Sequence, residues 1–324
     1  MTEHPNKNNT VGCVVVGAVN TDICAKPHKA LIARDSNPGS VYTTIGGVGR
    51  NIAHNLTLLG IRVKLITVLG GDEQALRIRQ SCSRLGIDIS DSLTVDAASS
   101  CYVLITDENG VMQLAVNDMD IYEHMTPEFL ETKLDVINSA RICVADTNIP
   151  KASLEYLAQH CRVPLLTDPV SVPKSAKLKS ILGKLHTIKP NTAEAEALSG
   201  VRITDEASLA QTAKTLLETG LGRVFITRGS RGVYYADRQR SGALPCTPGN
   251  MVDSSGAGDS FMAAVCWACI CGASLEDSAR LGLAASSICL ESGGAVSEYL
   301  SVKALLSRSG VTIQQLQGES NDRK

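Results

Sequence analysis

The sequence predicts an α/β fold: a mainly parallel sheet flanked by helices, with a small β-sheet lid. Three observations predict it. Apolar, β-rich runs alternate with helix-period segments along most of the 324 residues, which is the pattern of βαβ units. A composition that is 44% hydrophobic and 20% charged suits an ordinary globular chain that buries one large core. Two segments, 29–45 and 100–116, break the rhythm with short alternating strands and turn signals at Asn37-Pro38-Gly39 and Glu108-Asn109-Gly110, more like antiparallel ribbons than βαβ units.

Taken in order, the β-rich runs place strands at 11–19, 63–68, 141–145, 164–167, 185–188 and 223–227. Helical periodicity places helices at 51–59, 73–85, 127–137, 192–198, 207–218, 258–269 and 275–290. No repeat or low-complexity linker separates the two irregular segments from the rest, so they read as lid insertions in a single domain spanning 11–308. The polar ends, 1–10 and 318–324, lack apolar periodicity and read as loose tails.

A formal net charge of −2 without a Lys/Arg cluster argues against nucleic acid and against a polybasic membrane patch, and favours a small diffusing partner. No apolar run of about twenty residues and no signal-peptide pattern is present, so the expected compartment is the cytoplasm. The eleven cysteines are spread through apolar segments and read as buried thiols, including the Cys266-Trp267-Ala268-Cys269 pair, which lacks a second pair or a nearby histidine. The six histidines are scattered singly, and a structural metal is not expected.

The strongest chemical signal is Asp253-Ser254-Ser255-Gly256-Ala257-Gly258-Asp259-Ser260, followed at once by an apolar helix. Glycines let backbone approach a ligand, and the helix start turns several unpaired N–H groups toward one point, which suits an anion. Phosphoryl transfer gathers negative charge where such donors stabilise it. Asp259, in the first turn, is placed to take a proton from an attacking hydroxyl, and the helix dipole alone would keep it ionised at neutral pH. The competing reading is a helix-cap aspartate after a glycine turn.

Gly46-Gly47-Val48-Gly49-Arg50-Asn51 again sets glycines before a helix, and the Asn51 amide both donates and accepts, as a sugar diol requires. A plain glycine turn with a local cap is the alternative. The third glycine of a dinucleotide fingerprint would fall at Ile52, and no GxxxxGK[ST] occurs.

A Gly-Gly element before a helix, paired with a late D-[ST]-x-G-A-G-D element, resembles the two signatures of the ribokinase, or PfkB-type, carbohydrate kinases. The resemblance implies a ribokinase-like nucleotide-binding fold with a β-sheet lid, and ATP with Mg²⁺ as co-substrate and metal. It implies Asp259 as catalytic base, Gly256, Ala257 and Gly258 as the anion hole, and Gly46, Gly47 and Asn51 as sugar contacts. Asn20-Thr21-Asp22 matches the family's N-x-D, whose carboxylate grips two sugar hydroxyls. Asn191-Thr192-Ala193-Glu194 matches the N-x-x-E element that orders water around magnesium. Thr227, Gly229 and Gly232 match the loop along the nucleotide, with Arg228 as a phosphate or ribose contact. Asp253, Ser255 and the backbone near Gly293 and Ala295 correspond to a monovalent-cation (K⁺) site in several relatives.

Within that family, Asp35–Gly39, Thr44–Ala53, Val116–Met119, Ala145–Ile149, Asp168–Ser171 and His186–Asn191 together resemble the pseudouridine kinases. That would make the acceptor the 5′-hydroxyl of pseudouridine, in nucleoside degradation. With three phenylalanines and one tryptophan, the chain offers few large walls for a purine, whereas Ser36, Asn37, Asn117, Thr147 and Asn148 suit the polar edges of uracil. The alternatives are a ribokinase-like or fructokinase-like sugar kinase and a catalytically silent sugar sensor. A nicotinamide oxidoreductase lacks its fingerprint. Apolar lid positions in 29–45 would be exposed in a monomer, which predicts a homodimer through the lid.

Overall fold

The computed structural model describes residues 11–246 and 251–318. The strands are, in order, β1 (Cys13–Val16), β2 (Asn20–Pro27), β3 (Gly39–Gly46), β4 (Val63–Ile66), β5 (Val68–Leu69), β6 (Leu93–Thr94), β7 (Cys101–Thr106), β8 (Met112–Asp118), β9 (Ile142–Asp146), β10 (Leu165–Asp168), β11 (Thr187–Ile188), β12 (Arg223–Thr227), β13 (Val233–Asp237) and β14 (Ser241–Leu244). The helices are α1 (Val48–Leu58), α2 (Glu73–Arg84), α3 (Pro127–Glu131), α4 (Leu134–Ser139), α5 (Lys151–His160), α6 (Val172–Ser175), α7 (Thr192–Ser199), α8 (Glu206–Glu218), α9 (Ala257–Cys271), α10 (Leu275–Leu290), α11 (Val302–Ser309) and α12 (Ile313–Gly318).

Eight strands form the main sheet in the order β14-β13-β12-β11-β10-β9-β1-β4. Its pairs are parallel from β12 to β4, and the β12–β13 and β13–β14 pairs are antiparallel. Side chains alternate across a strand. Cys13 and Val15 of β1 therefore enter one core with residues of α1, α2, α9 and α10. Val14 and Val16 enter the other, with residues of α3, α4, α5, α7 and α8. A sheet buried on both faces explains the near-continuous apolar strands. Among the described residues no helix is long and apolar enough to cross a membrane, and all eleven cysteines are free thiols.

A second sheet, β3-β2-β7-β8, stands beside the first. Three residues separate β1 from β2, and the corner is pinned by Tyr122, whose buried hydroxyl accepts from Val19 N and donates to Val19 O, both at 2.7 Å. Ser100 Oγ donates to the same carbonyl at 2.6 Å.

The structure shifts several expected boundaries. Asn20 and Asp22 belong to the first strand of the small sheet, whereas the sequence places them at the end of the first main-sheet strand. Residues 28–38 connect β2 to β3 as a loop, because Asn37 accepts from Ile32 N and donates to Ile32 O and Asp35 O. The helix expected at 127–137 is divided between α3 and α4, where Thr132 Oγ1 turns back to Phe129 O and Lys133 turns to Asp91 at 3.3 Å. α5 and the β13–β14 hairpin go unpredicted. Of the tails expected at 1–10 and 318–324, Gly318 instead ends α12, and residues 1–10 and 319–324 lie outside the described residues.

Candidate active site

Two helices that open on glycine meet at the site. Gly47 precedes α1 and Gly256 precedes α9, and neither end has a side-chain cap. Gly256 takes φ 71°, and a Cβ there would lie 1.8 Å from Ala295 O, so only glycine fits. α1 and α9 pack so that Asn51 Nδ2 donates to Asp259 Oδ2 at 2.8 Å. The contact is held from behind: Asn55 Nδ2 donates to Asn51 O at 2.9 Å, and Ser260 Oγ donates to Asn55 Oδ1 at 3.3 Å.

Burial pushes the Asp259 carboxyl up to about 7, and the carboxylates of Asp168 and Asp146 add to this while Asn51 and Lys189 oppose it. The helix dipole alone implies a group ionised at neutral pH, and burial moves it to the edge of that range. Loss of water outweighs the dipole here. Asp22 is raised to about 6, also chiefly by burial, against the opposing effects of Asn20 and Arg50. Asn20 Nδ2 donates to Asp22 Oδ1. A Cβ on Gly46 would lie 2.0 Å from Asp22 Oδ2, so the glycine leaves the space that this carboxylate occupies.

Beneath Asp259 lie three buried charges at the ends of parallel strands. Asp146, fully buried, accepts from Ala18 N and Asn148 N at 2.8 Å each. Asp168 pairs with Lys189 at 3.2 Å and accepts from Val170 N at 2.9 Å. Val170 is held at φ 63°, an uncommon conformation for a β-branched residue. None of the three charged residues is picked out by sequence reasoning. All occur in strings that resemble the family, but no local pattern says that they meet.

The register of the small sheet decides which side chains share a face. Asp22 lies opposite Thr44 and Tyr102, and Tyr102 lies opposite Asn117, so these four side chains share one face. Tyr42, opposite Cys24, is on that face too. Counting phenylalanine and tryptophan alone therefore understates the aromatic surface beside Asp22. The other face carries Ile23, Val41, Val103, Ile105, Leu114 and Val116, and Val41, Leu114 and Val116 are exposed.

Other expected base contacts are placed differently. Asn37 spends its amide on its own loop, while Ser36 beside it is exposed. Thr147 is fully buried, and its hydroxyl donates to Pro169 O at 2.5 Å, so its role is to tie β9 to the turn after β10. Asn148 is half-buried and its Oδ1 accepts from Lys174 Nζ at 2.5 Å.

On the nucleotide side, Asn191 and Glu194 form a capping box at α7: Glu194 N donates to Asn191 Oδ1 at 2.9 Å and Asn191 N to Glu194 Oε2 at 2.8 Å. Thr227 bridges to Asn191, which brings the Thr227–Gly232 loop alongside. Gly229 and Gly232 have φ 57° and 85°. Arg228 pairs with Glu206 at 2.5 Å and donates to Arg231 O at 3.0 Å, so in this arrangement it braces its own loop.

Among the described residues no three His, Cys, Asp or Glu side chains gather as a metal cage. A single buried carboxylate at Glu194 instead fits a magnesium ion that arrives with phosphates and keeps much of its water. Asp253 Oδ1 accepts from Ser255 N at 2.9 Å. The carbonyls of Ser255 and Ala295 both accept from Cys289 Sγ, at 3.4 and 3.6 Å.

Residues 12–301 match the model of the pfkB family of carbohydrate kinases. Pseudouridine kinase from Escherichia coli (strain K12) is 36% identical over 282 residues, covering 86% of this chain and 90% of the relative. A putative sugar kinase from Clostridium perfringens superposes with a TM-score of 0.83 at 28% identity, covering 94% of this chain and 96% of the other. Arabidopsis thaliana ribokinase, complexed with ribose and ATP, shares the fold at a TM-score of 0.83 and 22% identity, covering 94% and 100%. With the family matched over nearly its whole length, the chain belongs to the pfkB carbohydrate kinases and is a sugar or nucleoside kinase acting with ATP.

Proposed function

We propose that this chain transfers the γ-phosphoryl group of ATP to the 5′-hydroxyl of pseudouridine in the cytoplasm. The 2.8 Å bond between Asn51 and Asp259 carries the reading, because it joins the sugar-side helix to the phosphoryl-side helix at one carboxylate. Asp259 accepts the hydroxyl proton through Oδ1 as the substrate oxygen bonds to the γ-phosphorus and the bond to the β-phosphate oxygen breaks, releasing ADP. A carboxyl near 7 is matched to that task. The N–H groups of Gly256, Ala257 and Gly258 stabilise the transferred oxygens.

Asn20, Asp22, Gly46, Gly47 and Asn51 hold the ribose. Asn117, with Tyr102 and Tyr42 on its face of the small sheet, reads the base, helped by Asn148 and Ser36. Asn191, Thr227, Gly229 and Gly232 line the nucleotide, Arg228 supports its loop, and Glu194 would order the water of a bound magnesium ion, whose charge would neutralise that of the phosphates. Asp253 and Ser255 would help hold a potassium ion, which would supply positive charge beside the phosphoryl-side turn. The apolar outer face of the small sheet pairs with its counterpart in a second copy to make a homodimer.

The polar Asp22 face and the likeness to a pseudouridine kinase support the choice of acceptor. Turnover of pseudouridine, uridine and ribose with ATP and magnesium tests it. Pseudouridine should exceed uridine by ten- to a hundred-fold in kcat/KM, since its additional ring N–H is worth roughly 1–3 kcal/mol to a pocket that pairs it. A preference for ribose would assign a free-sugar kinase, and no turnover with any acceptor would favour a silent sensor.

A further inference from the structure

Lys189 is a buried cation beside the phosphoryl-side turn. It follows β11, its ammonium pairs with Asp168 at 3.2 Å, and its side chain is 7% exposed. The same Nζ lies 3.2 Å from the point where a Cβ on Gly258 would stand, so the second glycine of the turn gives it room. A desolvated cation acts strongly over such distances because little water screens it. A residue needed only to neutralise Asp168 would have no reason to lie against this turn.

We propose that Lys189 is a positioning residue for phosphoryl transfer, its ammonium held by Asp168 behind the Gly256–Gly258 turn so that one fixed charge serves both the base carboxylate and the transferred phosphoryl group. The inference rests on Asp259 being the base. The charged groups around the pair come from four elements: Asp146 on β9, Asp168 on β10, Glu194 on α7 and Asp259 itself on α9. Lys189 opposes the upward push of Asp168 and Asp146 on Asp259, while all three of its acidic neighbours, Asp168, Glu194 and Asp259, keep Lys189 protonated. Removing the cation therefore does two separable things. Asp259 takes up its proton at higher pH, and the developing phosphate charge loses a fixed counter-charge.

The test is Lys189→Met, assayed with ATP, magnesium and either pseudouridine or ribose across pH 5.5 to about 9.5. The expected result is a kcat lower by about 10²-fold with KM for the acceptor changed little. The acid limb of kcat/KM should also move up by about one pH unit or more. Asp168→Asn should move that limb in the opposite direction, because it removes a carboxylate instead of a cation.

Lys189→Met leaves Asp168 buried without its partner and the variant risks misfolding. The double variant Asp168→Asn/Lys189→Met removes both charges together and keeps the question answerable. Wild-type kcat in the folded double variant would show that Lys189 only neutralises Asp168, and would overturn the proposal. So would an unmoved acid limb in Lys189→Met. Asp259→Asn is run alongside: if it retains full turnover and the acid limb, the base assignment itself fails. Loss of turnover in Asp259→Asn with a normal Lys189→Met would sink only the Lys189 proposal.

Discussion

Asp259→Asn should cost activity and add stability, and the two effects have the same cause. Its carboxyl is raised from 3.8 to about 7 by burial beside Asp168. An acid whose folded value is raised contributes stability in full below its unfolded value and loses it as pH rises through the folded one. Between pH 4 and 7 the folded carboxyl keeps its proton while the unfolded one ionises, so stability falls across that interval, and above pH 7 the folded protein carries an ionised, poorly hydrated carboxylate. At about 1.4 kcal/mol per pH unit, the interval corresponds to about 4 kcal/mol. Because Asp259 is only half-buried by surface area, screening reduces the expected gain to about 1–3 kcal/mol.

Asparagine keeps an oxygen to accept from Asn51 and does not titrate, so the variant should escape this loss. Differential scanning fluorimetry from pH 4 to 8.5 is the assay. The variant should unfold within a degree or so of wild type near pH 4 and about 2–6 °C above it at pH 8. Turnover at pH 7.5 should fall by about 10²–10⁴-fold. A pH-independent difference in unfolding temperature would refute the electrostatic reasoning, and undiminished turnover would refute the assignment as base.

Gly46→Ala puts a Cβ 2.0 Å from Asp22 Oδ2 and should displace that carboxylate, raising KM for the acceptor about ten- to a hundred-fold with KM for ATP unchanged; steady-state kinetics on both substrates decide. Thr147→Val leaves the Pro169 carbonyl without its buried donor, so urea unfolding should show a loss of about 1–3 kcal/mol while KM for the acceptor stays the same. A raised KM there would restore Thr147 as a substrate contact. Val116→Lys, on the outer face of the small sheet, should yield a monomer by light scattering at micromolar concentration, and a wild type that is already monomeric would remove the dimer proposal.

The sequence by itself determined whatever is local. Unbroken apolar runs such as Cys13–Val16 become strands buried on both faces, because period-two alternation with two apolar faces has only one stable setting. Glycines before an apolar run marked both helices at the site, although α1 starts at Val48, three residues before the expected Asn51, with Gly49 inside it. The two irregular segments announced a second sheet through their turn residues.

Tertiary structure decided what the local chain cannot express. Asn51 and Asp259 are 208 residues apart and become partners only when α1 packs on α9. Asp146, Asp168 and Lys189 gather because parallel strands end together at one edge of the sheet, and no period in the sequence marks that edge. The charge state of Asp259 followed the same logic. Its dipole is a property of its own helix, whereas its burial and acidic neighbours come from distant strands, and those outweigh the dipole. Thr147 and Asn37 carry hydrogen-bonding groups suited to a base, but whether such a group meets substrate or its own chain depends on what packs against it. Here it was a carbonyl of the next strand's turn for one and the backbone of its own loop for the other.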